Sequence, residues 1–186
     1  MTETVLHHHR ELTAALRRAL VALYAQVRAP LLHLPNYAVA AFVERLELHS
    51  GQPGFEAVLG YDGTEPVGYA YGNTVESGDR WWARLARATP PELTAAPTFA
   101  LRELGVRARW RGTGAARRIH EGLAGGRGEE RVMLMVNPAA GGGRVLALYE
   151  AWGYQVVNEV PPTAEAPPLV AMARACRWPD GGAPGY

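Results

Sequence analysis

The sequence predicts a single α/β domain, and three stretches carry that prediction. The segment from Phe99 to Leu123, FALRELGVRARWRGTGAARRIHEGL, has the pattern of a strand, a glycine turn and a helix. Apolar residues on both faces of that strand indicate a central, covered strand. Two apolar arms around Asp62-Gly63 predict a hairpin between Phe55 and Val75. Leucines at helical spacing from Leu12 to Val27 predict an amphipathic helix.

The N-terminal elements follow from local pattern. Residues Thr4 to Arg10 predict an edge strand, and its three consecutive histidines, His7 to His9, alternate between faces and cannot easily chelate one ion. We therefore expect no metal. After the first helix comes the loop LLHLPN, and Asn36 is the expected cap of a second helix that contains Phe42 and Leu46.

The C-terminal third continues the alternation of strands and helices. Gly125-Gly126 ends the helix that follows the glycine turn. The predicted elements after it are a buried strand at Arg131–Val136, a helix at Val145–Trp152, a strand from Gly153 to Val157 and a last strand around Leu169–Ala173. We expect one domain over residues 1–174 and a mobile tail over 175–186.

Composition excludes several classes of function. Nineteen basic residues balance 18 acidic ones, which gives no electrostatic argument for a nucleic-acid partner or an anionic membrane. The single cysteine, Cys176, excludes an internal disulfide and a cysteine-based metal site. No apolar run reaches transmembrane length and no signal-peptide pattern begins the chain, so we expect a cytoplasmic protein. The chain contains arginine but no lysine. Together with the high content of Ala, Gly and Pro, this indicates a GC-rich, bacterial genome.

The glycine turn has the features of an anion cradle. The first amides of a helix lack intrahelical partners and carry partial positive charge. Gly112 and Gly114 have no Cβ, so a bulky anion could approach the backbone closely. Arginines 109, 111, 117 and 118 add positive charge. These features predict a diphosphate site, although a tight turn with solvated arginines explains them as well. No Gly-Lys-Ser/Thr follows, which excludes a Walker loop, and too little chain remains for a dinucleotide-binding fold.

Two motifs in order carry a more specific resemblance. Arg109, Gly112 and Gly114 match the Arg/Gln-x-x-Gly-x-Gly/Ala signature of the GNAT superfamily of acyl-CoA-dependent N-acyltransferases, and LYEAWGY, Leu148 to Tyr154, resembles its second signature. The resemblance spans Thr4 to about Ala173. It implies a central mixed, mostly antiparallel sheet of six to seven strands, splayed between the fourth and fifth strands and flanked by about four helices.

The resemblance also implies acetyl-CoA as co-substrate. The end of the central strand would pair with the pantetheine arm, and the cradle would hold the diphosphate. The residues expected to contact the cofactor are Leu104, Gly105, Val106, Arg109, Arg111, Gly112, Thr113, Gly114, Ala115 and Ala116. One departure stands out: Gly142 occupies the position where the family usually has Asn. The loop Gly141–Gly143 is expected to be flexible and lacks a side-chain contact to the cofactor.

Two side chains are candidates for proton transfer. Glu103, expected on one strand face with Phe99 and Leu101, is the candidate base, because burial among apolar groups would raise the pKa of a carboxylate. The alternative is a salt bridge with an arginine such as Arg102. Tyr149, at the signature position, would protonate the departing CoA thiolate; the alternative is a core tyrosine.

The implied reaction is N-acetyl transfer to a primary amine of a small molecule or peptide, by direct attack in a ternary complex. A non-catalytic acyl-CoA-binding module is the alternative. Candidate acceptor contacts are His33, Tyr71, Trp81 and Trp82, for which packing or plain exposure is the competing explanation. The adjacent tryptophans favour an enclosed pocket for an apolar or cationic acceptor. A homodimer is the default expectation.

Overall fold

The fold is an α/β sandwich with one central sheet. The computed structural model describes residues 4–163 and 166–176, and the following elements are those of the described part. Its strands are β1 (Val5–His9), β2 (Glu56–Asp62), β3 (Glu65–Val75), β4 (Thr98–Val106), β5 (Arg131–Val136), β6 (Gln155–Val160) and β7 (Leu169–Ala175). Its helices are α1 (Ala14–Val27), α2 (Val39–Ser50), α3 (Pro91–Thr94), α4 (Ala115–Ala124) and α5 (Arg144–Ala151).

The seven strands form one sheet in the order β1-β2-β3-β4-β5-β7-β6. All neighbouring pairs are antiparallel except β4 and β5, which are parallel and joined through α4. A parallel pair needs such a crossover, since a short hairpin cannot return the chain to the same end of the sheet. The predicted mixed, mostly antiparallel sheet of six to seven strands is confirmed.

The strands β4 and β5 separate after a short paired stretch. Only Thr98, Phe99 and Ala100 of β4 pair with β5, where their partners end at Met133. Strand β4 then runs on to Val106, while β5 pairs along its whole length with β7. The predicted splay between the fourth and fifth strands is therefore present, and it opens next to the start of α4.

A β-bulge lies in β4 at the point where this gap opens. Tyr71 of β3 lies opposite Glu103, but the next residue, Gly72, lies opposite Leu101, so Arg102 is the extra residue. Gly72 is required by the close approach of the strands. A Cβ at Gly72 would lie 2.3 Å from the carbonyl oxygen of Ala100.

The bulge corrects one prediction from the sequence. Leu101, Leu104 and Val106 pack in the same apolar cluster as Phe99, whereas Glu103 contacts side chains of the opposite face. Glu103 therefore does not share a face with Phe99 and Leu101. An inserted residue reverses the alternation of a strand, and the period-two pattern of the sequence does not reveal it.

Each face of the sheet is covered by a pair of helices. The face covered by α4 and α5 buries Phe99, Ile119, Leu123, Val132, Tyr149 and Trp152. The opposite face, under α1 and α2, buries Leu20, Tyr24, Phe42, Leu46, Tyr69 and Tyr71. A third cluster around Val75, Trp81, Ala100 and Met133 extends this second layer beyond the gap.

Several element ends differ from the sequence prediction. Helix α2 begins after Ala38 with no side-chain cap, and Asn36 lies in the preceding 3-10 turn, so the cap predicted there is wrong. The predicted tail begins too early, because Cys176 is buried and its N–H donates to the carbonyl of Glu130 at 2.9 Å. Residues 177–186 lie outside the described part. No helix in the described ranges is long and apolar enough to span a membrane.

Candidate functional site

The gap between β4 and β5 exposes one edge of a central strand to a ligand. The carbonyl of Val106 accepts a hydrogen bond from Arg111 Nε at 3.2 Å, and that of Leu104 lies 3.5 Å from an Arg28 nitrogen. Inside a sheet, these two carbonyls would accept hydrogen bonds from a neighbouring strand, but here their neighbours are arginine side chains. An extended chain with amide groups could add to such an edge by backbone hydrogen bonds.

The cradle at the open end of the gap is built by two glycines. Gly112 and Gly114 have φ of 76° and 87°, a left-handed conformation that side chains rarely adopt. A Cβ at either position would meet nothing within 4 Å, so the space in front of the turn is open. The N–H of Arg118 donates to the carbonyl of Gly114 at 3.0 Å, which leaves the preceding amides of α4 directed at the turn. The diphosphate site predicted at this turn stays a prediction.

The arginines of the cradle differ in exposure and in hydrogen-bond partners. Arg109 is 76% exposed and lies 3.5 Å from Glu65 Oε2, so its guanidinium can reorient towards a ligand. Arg111 instead joins the turn to the core, since it donates to the carbonyls of Val106 and Val27. Thr113 closes the turn with a hydrogen bond from Oγ1 to the carbonyl of Trp110 at 2.7 Å.

Tyr149 is buried on α5, in the apolar cluster of the α4/α5 face. It is 9% exposed, and the rings of Trp152 and Tyr154 meet it edge-to-face with centroids 5.6 and 5.5 Å away. Burial raises the pKa of Tyr149, and the negative charge of Glu103 raises it further. The phenol therefore keeps its proton at neutral pH and is available as a donor.

Glu103 lies on the other side of the gap between two arginines. Its carboxylate is 3.1 Å from Arg28 and 3.8 Å from Arg45, and the side chain is 14% exposed. The ion-pair alternative is thus present, but with these two partners and not with Arg102. Glu103 and Tyr149 lie on opposite faces of the sheet, close enough for the charge of Glu103 to act on the phenol.

Tyr71 lies next to Glu103 in the buried α1/α2 layer. Its hydroxyl is 3.5 Å from Nδ1 of His49, a residue that the sequence did not single out. Burial lowers the pKa of His49 to about 3, and the positive charges of Arg102, Arg45 and Arg84 contribute, so the ring is neutral at pH 7. The spacing of Phe42, Leu46 and His49 along one stripe of α2 was the signal that could have predicted it.

The remaining predicted acceptor residues lie in different surroundings. Trp81 is 5% exposed in the third cluster, and the guanidinium of Arg102 covers its ring at 4.5 Å. This arginine occupies the face that was expected to attract a cationic acceptor. Trp82 is partly exposed and donates from Nε1 to the carbonyl of Glu76. His33 is exposed in the turn between the 3-10 helices Ala29–Leu31 and Pro35–Tyr37.

The consecutive histidines of β1 have separate partners. His8 Nδ1 lies 2.9 Å from Glu56, while the ring of His7 packs against Tyr61. Within residues 4–163 and 166–176, no group of three or more His, Cys, Asp or Glu side chains is placed to hold a metal ion.

Comparison with solved structures shows the fold. No protein-family model matches the sequence, and no curated protein does. An aminoglycoside N(6')acetyltransferase from Legionella pneumophila has a TM-score of 0.63 at 14% identity, covering 95% of each chain. A protein named as histone acetyltransferase HPA2 and related acetyltransferase, from Corynebacterium glutamicum, has a TM-score of 0.62 at 19% identity, covering 97% of this chain and 100% of its own.

A third solved structure was determined with acetyl-CoA. It is a GNAT superfamily phosphinothricin acetyltransferase from Sinorhizobium meliloti, with a TM-score of 0.59 at 16% identity, covering 92% of this chain and 88% of its own. The chain therefore has the fold of the GNAT acetyltransferases, as the two sequence motifs predicted.

Proposed function

We propose that the protein is an N-acetyltransferase that moves an acetyl group from acetyl-CoA to a primary amine of a small molecule or peptide. The observation that carries this proposal is the splay after Ala100 and Met133, with the glycine cradle at its open end. The structural neighbours named above are acetyltransferases, which supports the same reaction class. We keep a cytoplasmic location in a bacterium and a homodimer as predictions.

The cofactor fits the groups that the gap presents. Backbone groups from Leu104 to Val106 would bind the pantetheine arm, and the cradle from Arg109 to Ala116 would bind the diphosphate. The open space at Gly112 and Gly114 is what such an anion requires. Bound acetyl-CoA supplies the activated thioester. Val106 N–H is the group that we assign to polarising its carbonyl.

Protons must move at three points of the transfer. An alkylammonium with a pKa near 10.4 must lose a proton before it can attack. We assign Glu103 as the acceptor of that proton, directly or through a water, although its two arginine partners compete for the same oxygens. The neutral amine attacks the carbonyl carbon, and the C–S bond breaks as Tyr149 donates its proton to the leaving sulfur. The nitrogen then gives up its second proton, which restores the phenol, and free CoA thiol is released with the amide.

One feature favours the non-catalytic alternative. Gly141, Gly142 and Gly143 all have positive φ, so the turn before α5 is glycine-dependent and offers no side chain at the usual Asn position. The turn is nevertheless closed by hydrogen bonds, including Arg144 Nε to the carbonyl of Gly141 at 2.8 Å. An acyl-CoA-binding module would bind the cofactor without transferring the acetyl group.

The test is turnover of a Tyr149→Phe variant on a panel of amines, followed by thiol release. Because burial raises the pKa of Cys176 to about 12, the protein's own thiol adds little background. We expect kcat to fall about 100-fold, the low end for a general acid, with acetyl-CoA affinity unchanged. Tyr61→Phe, on β2 opposite the edge strand β1, is the matched control and should retain wild-type kcat. Equal kcat in wild type and Tyr149→Phe would show that the phenol is not the acid.

A further inference from the structure

Arg102 differs from the other inward-facing arginines in its partners. Each of the following has an ion pair within 4 Å: Arg28 with Glu103, Arg107 with Glu65, Arg127 with Glu56 and Glu129, and Arg174 with Glu121. Arg102 donates from Nε to the neutral Asn73 Oδ1 at 2.7 Å and stacks on Trp81. In the described part of the chain, no carboxylate forms an ion pair with it.

This arrangement is costly for a cation. Burial lowers the pKa of Arg102 to about 10, and the charge of Asp79 offsets only part of that effect. The Asp79 carboxylate is itself engaged, since Oδ1 accepts from the backbone N–H of Trp81 at 2.8 Å. A half-buried guanidinium with an amide and a ring as partners keeps N–H donors in the fork geometry that binds an oxyanion.

The position of Arg102 in β4 puts its guanidinium where a substrate group could reach it. It is the bulge residue, two positions beyond Ala100, the last β4 residue paired with β5. The bulge turns it to the face that carries Glu103, at the mouth of the gap where an acceptor must meet the thioester. Trp81 Nε1, on the ring under the guanidinium, is also buried without a hydrogen-bond partner.

Most of the charged side chains around Arg102 are also positive. Arg45 and Arg84 lower the pKa of His49 together with Arg102, and Glu103 is already paired with Arg28, which leaves Asp79 as the carboxylate that acts on Arg102. A purely cationic amine would be repelled here, whereas an amine with its own negative group would find a partner.

We propose that Arg102 binds an anionic oxygen group, most simply a carboxylate, on the acceptor amine. The acceptor is then an amino-acid-like molecule, and a polyamine or other polycation is disfavoured. This inference rests on the proposed function and names the substrate class of the same site.

The test measures binding of matched ligand pairs to the protein saturated with CoA. The probes are N-acetyl amino acids and the corresponding N-acetyl amino-acid amides, which resemble the reaction product and differ in one negative charge. We expect the carboxylate of at least one pair to bind about tenfold to a hundredfold more tightly than its amide. Arg102→Gln should abolish that preference, and Arg102→Lys should retain part of it. Arg10→Gln, a change of an arginine that directly follows the edge strand β1 and is 83% exposed, should leave the preference unchanged.

The outcomes separate the inference from the proposed function. Failure of CoA to shift the unfolding temperature of the wild-type protein would remove the proposed function itself. If CoA shifts the unfolding temperature normally, three results would overturn the anion site alone. They are equal binding of acids and amides, no binding of any acid, and a preference for acids that persists in Arg102→Gln. The CoA-induced shift of Arg102→Gln should equal that of the wild type, which shows that the variant is folded.

Discussion

At the scale of single residues, the ion pairs of Glu103 separate stability from catalysis. Glu103→Gln leaves Arg28 and Arg45 without a neutralising charge in a largely buried place. We expect the free energy of unfolding to fall by about 1–3 kcal/mol. Glu47→Gln is the matched control, because the Arg17–Glu47 pair is exposed on both sides and should contribute less than about 0.5 kcal/mol. Urea denaturation at pH 7 measures both values.

The same variant also tests the proposed proton acceptor. If Glu103 takes the proton, Glu103→Gln binds acetyl-CoA normally but its kcat falls about 100-fold. Wild-type kcat in that variant would show that Glu103 is structural. Equal stability losses in the two Gln variants would instead show that the Arg28 and Arg45 contacts contribute nothing beyond a surface pair.

Residue identity in the site was predictable where it depends on local chain geometry. Gly112 and Gly114 are recognisable because a left-handed turn before a helix demands glycine, and Tyr149 because it lies in a short motif. Arg28 and Arg45 were not predictable as partners of Glu103. They come from α1 and α2, and only tertiary packing brings them to β4.

At the scale of elements, the bulge in β4 decides which side chains reach the mouth of the gap. The sequence predicted the strand itself from its apolar residues, but it placed Glu103 on the wrong face. The position of the bulge depends on the partner strand, where Gly72 admits the close approach of Ala100. A pattern read along one strand contains no information about such a pairing.

The glycine turn before α4 can be tested by substituting Gly114. Gly114→Ala forces an alanine to a φ of 87° and should lower the free energy of unfolding by about 1–2 kcal/mol. It should also weaken acetyl-CoA binding, because the turn relaxes away from the ligand. Gly126→Ala is the matched control: its Cβ meets nothing within 4 Å and its φ is not positive, so the change should stay within about 0.5 kcal/mol. Similar stability and affinity for the two variants would contradict the role assigned to Gly114.

At the scale of the whole molecule, the proposed ligand lies between the two halves of the sheet. Strands β1 to β4 form one half, strands β5 to β7 form the other, and only three residue pairs join β4 to β5. The mixed sheet and its gap followed from the family resemblance, whereas the cluster of Arg28, Arg45 and Arg102 on the α1/α2 side of the gap did not. The formal net charge of +1 does not reveal this local positive charge, because acidic residues elsewhere in the chain balance it.

The most direct test of acyl-CoA binding in this gap is thermal unfolding of the purified protein with and without acetyl-CoA, CoA and longer acyl-CoAs. A ligand at about 100 times its dissociation constant stabilises the fold by about 2.7 kcal/mol. For a domain of 186 residues, this corresponds to a rise in Tm of about 5–10 °C. We expect that rise with acetyl-CoA and CoA. An unchanged Tm with every CoA derivative would contradict the cradle, the gap as a cofactor site and the proposed reaction together.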